Sequence, residues 1–184
     1  MPAGRSGIQI HTLGTFAVTA GGKPVAVPNG LPKQALKLTI IHGGQIHVEV
    51  VMEQLWPGID LAGGRKGIRN ILSRMSRVGL PLLVRDGDVL RLGDGVWVDA
   101  HLFQMLADRA VTAADQTAAT RTARRALALY NGALLPDDRY VDWTAVPRRR
   151  LRRRRLAMLD MLAADSRVRG AYSEAVHLME LALE

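Results

Sequence analysis

The sequence predicts a mainly α chain with small β-sheets, in which a mixed strand-and-helix domain is followed by an all-α repeat domain. Three observations predict it. Strand signals and turn residues are interleaved with short apolar-periodic segments up to Val98, and past Asp99 the strand signals stop. Alanine then becomes dense and glycine sparse. Of the 184 residues, 48% are hydrophobic and 23% charged, which is ordinary for packed domains and too apolar for a disordered chain. The boundary is placed between Val98 and Asp99, separating residues 1–98 from residues 99–184.

Each element follows from local chemistry. Ile8, Ile10 and the run Leu13 to Val18 supply β-forming residues, and Gly21-Gly22-Lys23-Pro24 is turn chemistry, so Ile8 to Val27 reads as two short strands around a turn. Pro32 fits the first turn of a helix that carries Ala35, Leu36, Leu38, Ile40 and Ile41 and ends at Gly43-Gly44. Val48, Val51, Met52 and Leu55 mark a second helix, Val48 to Trp56, stopped by Pro57-Gly58. Ile68, Ile71, Leu72, Met75 and Val78 mark a third, from about Gly64 to Val78. Leu82 to Val84 and Val89 to Leu92 flank Asp86-Gly87-Asp88 as a tight hairpin, and Val96-Trp97-Val98 offers a further strand. Strands, three helices and a hairpin, in that order, describe a winged helix-turn-helix domain.

The second half reads as four helices: Asp99 to about Ala113, Asp115 to about Tyr130, Trp143 to about Arg169, and Ala171 to the end. They fall in pairs separated by loops, as in TPR-like helical-hairpin repeats. The last helix ends at Glu184 with no cap while Leu178, Met179, Leu181 and Leu183 still ask for a packing partner, so the repeat domain is expected to be truncated here.

The formal net charge of +8 and a pI near 10.7 favour a polyanionic partner, nucleic acid or an acidic membrane face. The absence of cysteine removes disulfides, thiolate nucleophiles and cysteine-ligated metals, and fits a reducing compartment. Met1 to Gly7 is short and polar, unlike a signal peptide, and charges or glycines interrupt every apolar stretch before membrane-spanning length. Cytoplasm is the expected location.

The third helix concentrates the charge. Taking Ile68 as zero and 100° per residue, Ile71, Leu72, Met75 and Val78 share one stripe, Lys66, Asn70, Ser73 and Arg77 centre the opposite face, and Arg65, Arg69 and Arg74 flank it. Between Ala62 and Val78 stand five basic residues and no acidic one. Helices exposed only to water usually mix both signs, so one sign points to a polyanion. Such a helix, about 25 Å long, fits the DNA major groove. There Arg69 and Asn70 are the candidate base readers, because arginine bonds guanine and asparagine bonds adenine in bidentate fashion. Lys66, Ser73, Arg74 and Arg77 are candidate phosphate contacts. Arg85 and Arg91 on the hairpin are candidate wing contacts, opposed by the two aspartates at its tip. The alternative for the whole stripe is a solvated face on a basic protein.

Other constellations point away from catalysis. His11, His42, His47, His101 and His177 have no metal-ligand spacing. Gly63-Gly64-Arg65-Lys66-Gly67 lacks the Gly-Lys-Ser/Thr ending of a phosphate loop. No serine, histidine and acid set stands in a nucleophile motif. The expectation is no enzyme and no cofactor. Arg148 to Arg155 holds seven arginines in eight residues. They either touch flanking DNA or spread around a helix whose buried stripe is Leu151, Leu156, Leu159 and Leu162, pairing in part with Asp137, Asp138 or Asp142.

Several of these segments resemble a known family. Leu31-Pro32-Lys33-Gln34-Ala35-Leu36, Met52-Glu53-Gln54-Leu55-Trp56-Pro57 and Leu72-Ser73-Arg74-Met75 resemble the DNA-binding domain of the Streptomyces antibiotic regulatory protein (SARP) family, itself similar to the winged helices of OmpR-type response regulators. Ala128-Leu129-Tyr130-Asn131-Gly132, Leu134-Leu135-Pro136-Asp137-Asp138, Asp142-Trp143 and the arginine-rich helix resemble the bacterial transcriptional activator domain that follows it. The resemblance implies a transcriptional activator that binds direct repeats in double-stranded DNA, often as a head-to-tail pair, and recruits RNA polymerase. It also implies a polymerase-facing loop, here Trp56, Pro57, Gly58, Ile59, Asp60 and Leu61. The chain departs from the family where Val96-Trp97-Val98 replaces a Gly-Tyr pair, and where Gly64 and Gly67 replace helix-favouring residues. The competing reading is a helical-repeat interaction scaffold with general affinity for nucleic acid.

Overall fold

In the computed structural model, which describes residues 7–183, packing divides the chain into two units. One holds the chain through Ile10 together with Ala17–Val98, and the other holds His11–Phe16 together with the chain from Asp99 onward. The readings of residues 1–6 and of the chain end at Glu184 lie outside the described residues.

Alternation organises the first unit. Strand β1 (Ile8–His11) buries Ile8 and Ile10, β2 (Ala17–Ala20) buries Val18, and β3 (Lys23–Pro24) returns antiparallel to β2. The turn between β2 and β3 uses Gly21 and Gly22 at φ of 56° and 78°, a region open to residues without a Cβ. Helix α1 (Leu31–Ile41) starts with proline in its first turn and buries Ala35, Leu36, Leu38 and Ile40. Helix α2 (Val48–Leu55) buries Val51 and Met52, and α3 (Leu61–Ser76) buries Ile68, Ile71 and Met75. The three apolar stripes close on one another.

Two features correct the sequence reading. A strand not expected there, β4 (Gln45–His47), follows the Gly43-Gly44 turn and buries Ile46. It pairs with β6 (Val89–Leu92), which in turn pairs with β5 (Leu83–Asp86), so the expected hairpin is two strands of a three-stranded antiparallel sheet ordered β4-β6-β5. Three residues are too few to show periodicity, and pairing stabilises them instead. Second, α3 begins at Leu61 instead of Gly64. The Asp60 carboxylate accepts the Gly63 amide at 2.9 Å and caps the new first turn. The final strand, β7 (Trp97–Val98), joins β1 in parallel and completes a second sheet ordered β3-β2-β1-β7.

The second unit is helical: α4 (Asp99–Val111), α5 (Gln116–Leu127), a single 3-10 turn at Pro136–Asp138, α6 (Asp142–Val168) and α7 (Tyr172–Leu183). Its core combines Ala107, Ala110 and Ala123 with Met158, Leu159, Leu162 and Leu178. Alanines at the contact let α4 and α5 approach closely, and the larger side chains of α6 fill the third side. The segment His11–Phe16 is stitched into this unit. The Asp99 carboxylate, 3% exposed, accepts the Thr12 amide at 2.8 Å, the Thr12 hydroxyl at 2.6 Å and the Leu13 amide at 3.0 Å. Among the described residues, no helix is long and apolar enough to cross a membrane.

Candidate nucleic-acid interface

Helix α3 is held by its glycines as much as by its apolar stripe. A Cβ on Gly67 would lie 2.6 Å from the Trp56 ring, and one on Gly64 would overlap the Met52 side chain. Both neighbours come from α2 or its end, so the two glycines that weaken α3 as an isolated helix create the hollow into which the preceding helix packs. This is why the chain tolerates them in the helix predicted to read DNA. It also explains the early start of α3, since a hollow at Gly64 is of use only if the helix has already begun.

The burial of Ile68, Ile71 and Met75 turns the opposite side outward. Arg65, Lys66, Arg69, Asn70, Ser73, Arg74 and Arg77 are all exposed. Arg65, Lys66, Arg69 and Arg77 have no hydrogen-bond or ion-pair partner among the described residues. Arg74 is the exception, donating from Nη2 to the Asn29 carbonyl at 3.0 Å. That bond ties the flank of α3 to the residues just before α1, where Lys33 donates to the Asn29 side chain at 2.6 Å.

The flank carrying Asn70 and Arg74 is concave. With Leu31, Pro32, Trp56, Ile59, Lys66 and Gly67, among others, they line a depression of about 250 Å³. Lys66, Asn70 and Arg74 therefore share a recess with the Trp56 loop, while Arg65, Arg69, Ser73 and Arg77 lie on the open side by helical angle. In that loop Trp56 is half-buried against Gly67, Pro57, Gly58 and Asp60 are exposed, and Ile59 is 40% exposed. Leu61, 52% exposed, is the first residue of α3 rather than part of the loop.

The wing arginines differ from those of α3. Arg85 donates to the Gly87 carbonyl at 2.7 Å and pairs with Asp88 at 3.3 Å. Arg91 pairs with Asp94 at 2.7 Å and faces Asp86 at 3.9 Å. Both cations are thus partly neutralised within the hairpin. In the second unit, the arginine run of α6 also has specific partners. Arg148 donates to the carbonyls of Leu134, Leu135 and Arg139 at 2.9, 2.8 and 3.3 Å, Arg154 pairs with Asp108 at 2.7 Å, and Arg155 stacks over Tyr130. The partners of Arg148 are thus backbone carbonyls of the 131–141 loop, a kind of partner that the sequence reading did not consider.

A three-helix cluster with a β-hairpin behind it is a winged-helix architecture, and in this chain a helical unit follows it. Residues 98–184 match the sequence profile of the bacterial transcriptional activator domain. No curated protein matches the sequence. The solved structure of Mycobacterium tuberculosis EmbR in complex with low affinity phosphopeptide is similar in fold, with a TM-score of 0.72 at 18% identity, covering 97% of this chain and 50% of that one. The chain spans half the length of that relative. The profile match concerns residues 98–184, and the likeness to EmbR concerns the fold.

Proposed function

We propose that this chain is a sequence-specific, double-stranded-DNA-binding transcriptional activator, acting in the cytoplasm by binding and without a chemical step. The observation that carries the reading is the outer side of α3. It is acid-free, exposed and largely unpaired, on a helix whose inner side is anchored by two neighbours. In this reading Arg69 and Asn70 read bases, Lys66, Ser73, Arg74 and Arg77 hold phosphates, and Arg65 adds charge beside them. Arg85 and Arg91 reach phosphate only by exchanging it for Asp88 and Asp94, so they contribute less. The Trp56 to Leu61 segment faces RNA polymerase, and two copies occupy a direct repeat head to tail.

Footprinting on promoter fragments, with a salt titration, tests this. A protected direct repeat is expected. If about six phosphates are engaged, log affinity falls with log salt at a slope near −5. Arg69→Ala is expected to cost about 1–3 kcal/mol and relax discrimination at one base pair, whereas Lys66→Ala weakens all sequences alike. Uniform protection, with no preferred repeat, would favour the scaffold reading instead.

A further inference from the structure

The hairpin of α4 and α5 carries a second concentration of positive charge that DNA reading does not use. Arg109 lies on α4, and Arg121 and Arg125 lie one turn apart on α5. With Leu106, Thr112, Ala118 and Thr122 they line a cleft of about 580 Å³ between the two helices, and among the described residues no carboxylate lines it. None of the three guanidinium groups has a hydrogen-bond or ion-pair partner among the described residues. The acids close in sequence are committed elsewhere. Asp108 holds Arg154 of α6 at 2.7 Å, and Asp115 accepts the Ala118 amide at 2.7 Å as the cap of α5. Glu174 holds the intervening Arg124 at 2.8 Å. Like charges around one recess repel one another, and an anion between them relieves that repulsion.

We infer that this cleft binds the oligophosphate group of a small molecule through Arg109, Arg121 and Arg125. Its volume falls within the roughly 300–1,000 Å³ of small-molecule sites. The lining holds no aromatic ring on which a base could stack, so recognition rests on the phosphates. The Thr112 and Thr122 hydroxyls already donate to the Asp108 and Ala118 carbonyls, at 3.1 and 2.7 Å, which leaves the forked guanidinium N–H groups as the donors. An acidic helical partner would need an apolar stripe beside the cations, and in this lining Leu106 is the single large apolar side chain.

Titration calorimetry of the full chain with inorganic triphosphate, in about 0.1 M salt, tests the inference. Saturable binding tighter than about 1 mM is expected. Arg109→Gln, Arg121→Gln and Arg125→Gln should each weaken it about tenfold, the scale of one charge-assisted contact. Arg149→Gln and Arg150→Gln, the same charge change on the exposed side of α6, should leave it within about twofold. Glutamine keeps the helix propensity of arginine, and unchanged melting of each variant checks the fold. A nucleoside triphosphate run in parallel separates the sources: equal affinity assigns the site to the phosphate chain alone, and tighter binding assigns it to a nucleotide. No binding by the unmodified chain overturns the inference. So does equal loss in the α6 variants, which would make the effect one of net charge, or weakened binding of a duplex with triphosphate binding intact.

Discussion

Gly67 shows how one residue is judged by its neighbours and not by its own propensity. Alanine in place of a mid-helix glycine ordinarily stabilises a helix by about 1 kcal/mol. Here the added Cβ meets the rigid Trp56 ring at 2.6 Å, so the ring must shift. Overpacking of this kind costs about 1–3 kcal/mol. Gly67→Ala is expected to lower stability by that amount less the propensity gain, measured by urea unfolding, and to displace Trp56, measured by its fluorescence. An increase in stability would show that Trp56 does not rest on α3. Leu135 makes a related point with backbone conformation. Its φ of 46° is unusual for a residue with a side chain, yet it is fully buried, and its amide donates to the Thr12 carbonyl at 2.8 Å.

At the scale of elements, α6 separates arginines that hold the fold from those that only charge it. Arg148 gives N–H donors to three carbonyls of the preceding segment, of which the Leu135 carbonyl also accepts from the Asp138 amide at 3.0 Å. Arg148→Ala is therefore expected to cost about 2–3 kcal/mol in chemical denaturation, and Arg149→Ala or Arg150→Ala, both exposed, less than about 0.5 kcal/mol. Equal effects would mean that the run acts only as a patch. The joint between α6 and α7 has an acid-sensitive clasp. The Ser166 hydroxyl, then Arg124 and Arg169, stabilise the ionised Glu174 and lower its carboxyl from the ordinary 4.5 to about 2. A depressed carboxylate stabilises the fold above its unfolded value, and that contribution fades as pH falls from about 4.5 toward 2. Melting temperature should therefore drop across that window in the unmodified chain. In Glu174→Gln the drop should be smaller, and identical profiles would remove the clasp.

At the scale of the whole molecule, the hydrogen bonds of Asp99 join residues far apart in sequence within one unit. Asp99→Asn turns an amide group toward amides that need an acceptor. The expected cost is about 2–4 kcal/mol, with faster hydrogen exchange at the Thr12 and Leu13 amides. Unchanged exchange there would show that the segment is held by other contacts. Gly14 and Gly132 belong to the same arrangement. A Cβ on Gly14 would lie 2.6 Å from the Asn131 carbonyl oxygen, so the chain passes there only without one. None of this was legible beforehand, because Asp99 reads in sequence as a helix-starting acid and Thr12 as part of a strand run. Periodicity did reveal α1, α2, the wing hairpin and the four helices of the second half. Each buries a stripe of its own residues, and that stripe is written at fixed local spacing. By itself, then, the sequence determined where the helices and the wing hairpin lie, which face of α3 is apolar and which cationic, and that the charge is unopposed on that face. Only the tertiary structure decided that β4 completes the wing and that Gly64 and Gly67 receive Met52 and Trp56. It also decided that Arg85, Arg91 and Arg148 have partners while Arg69, Arg77 and Arg121 have none among the described residues. The reason is that a partner distant in sequence leaves no periodic trace, and it becomes visible only when folding brings donor and acceptor within bonding distance.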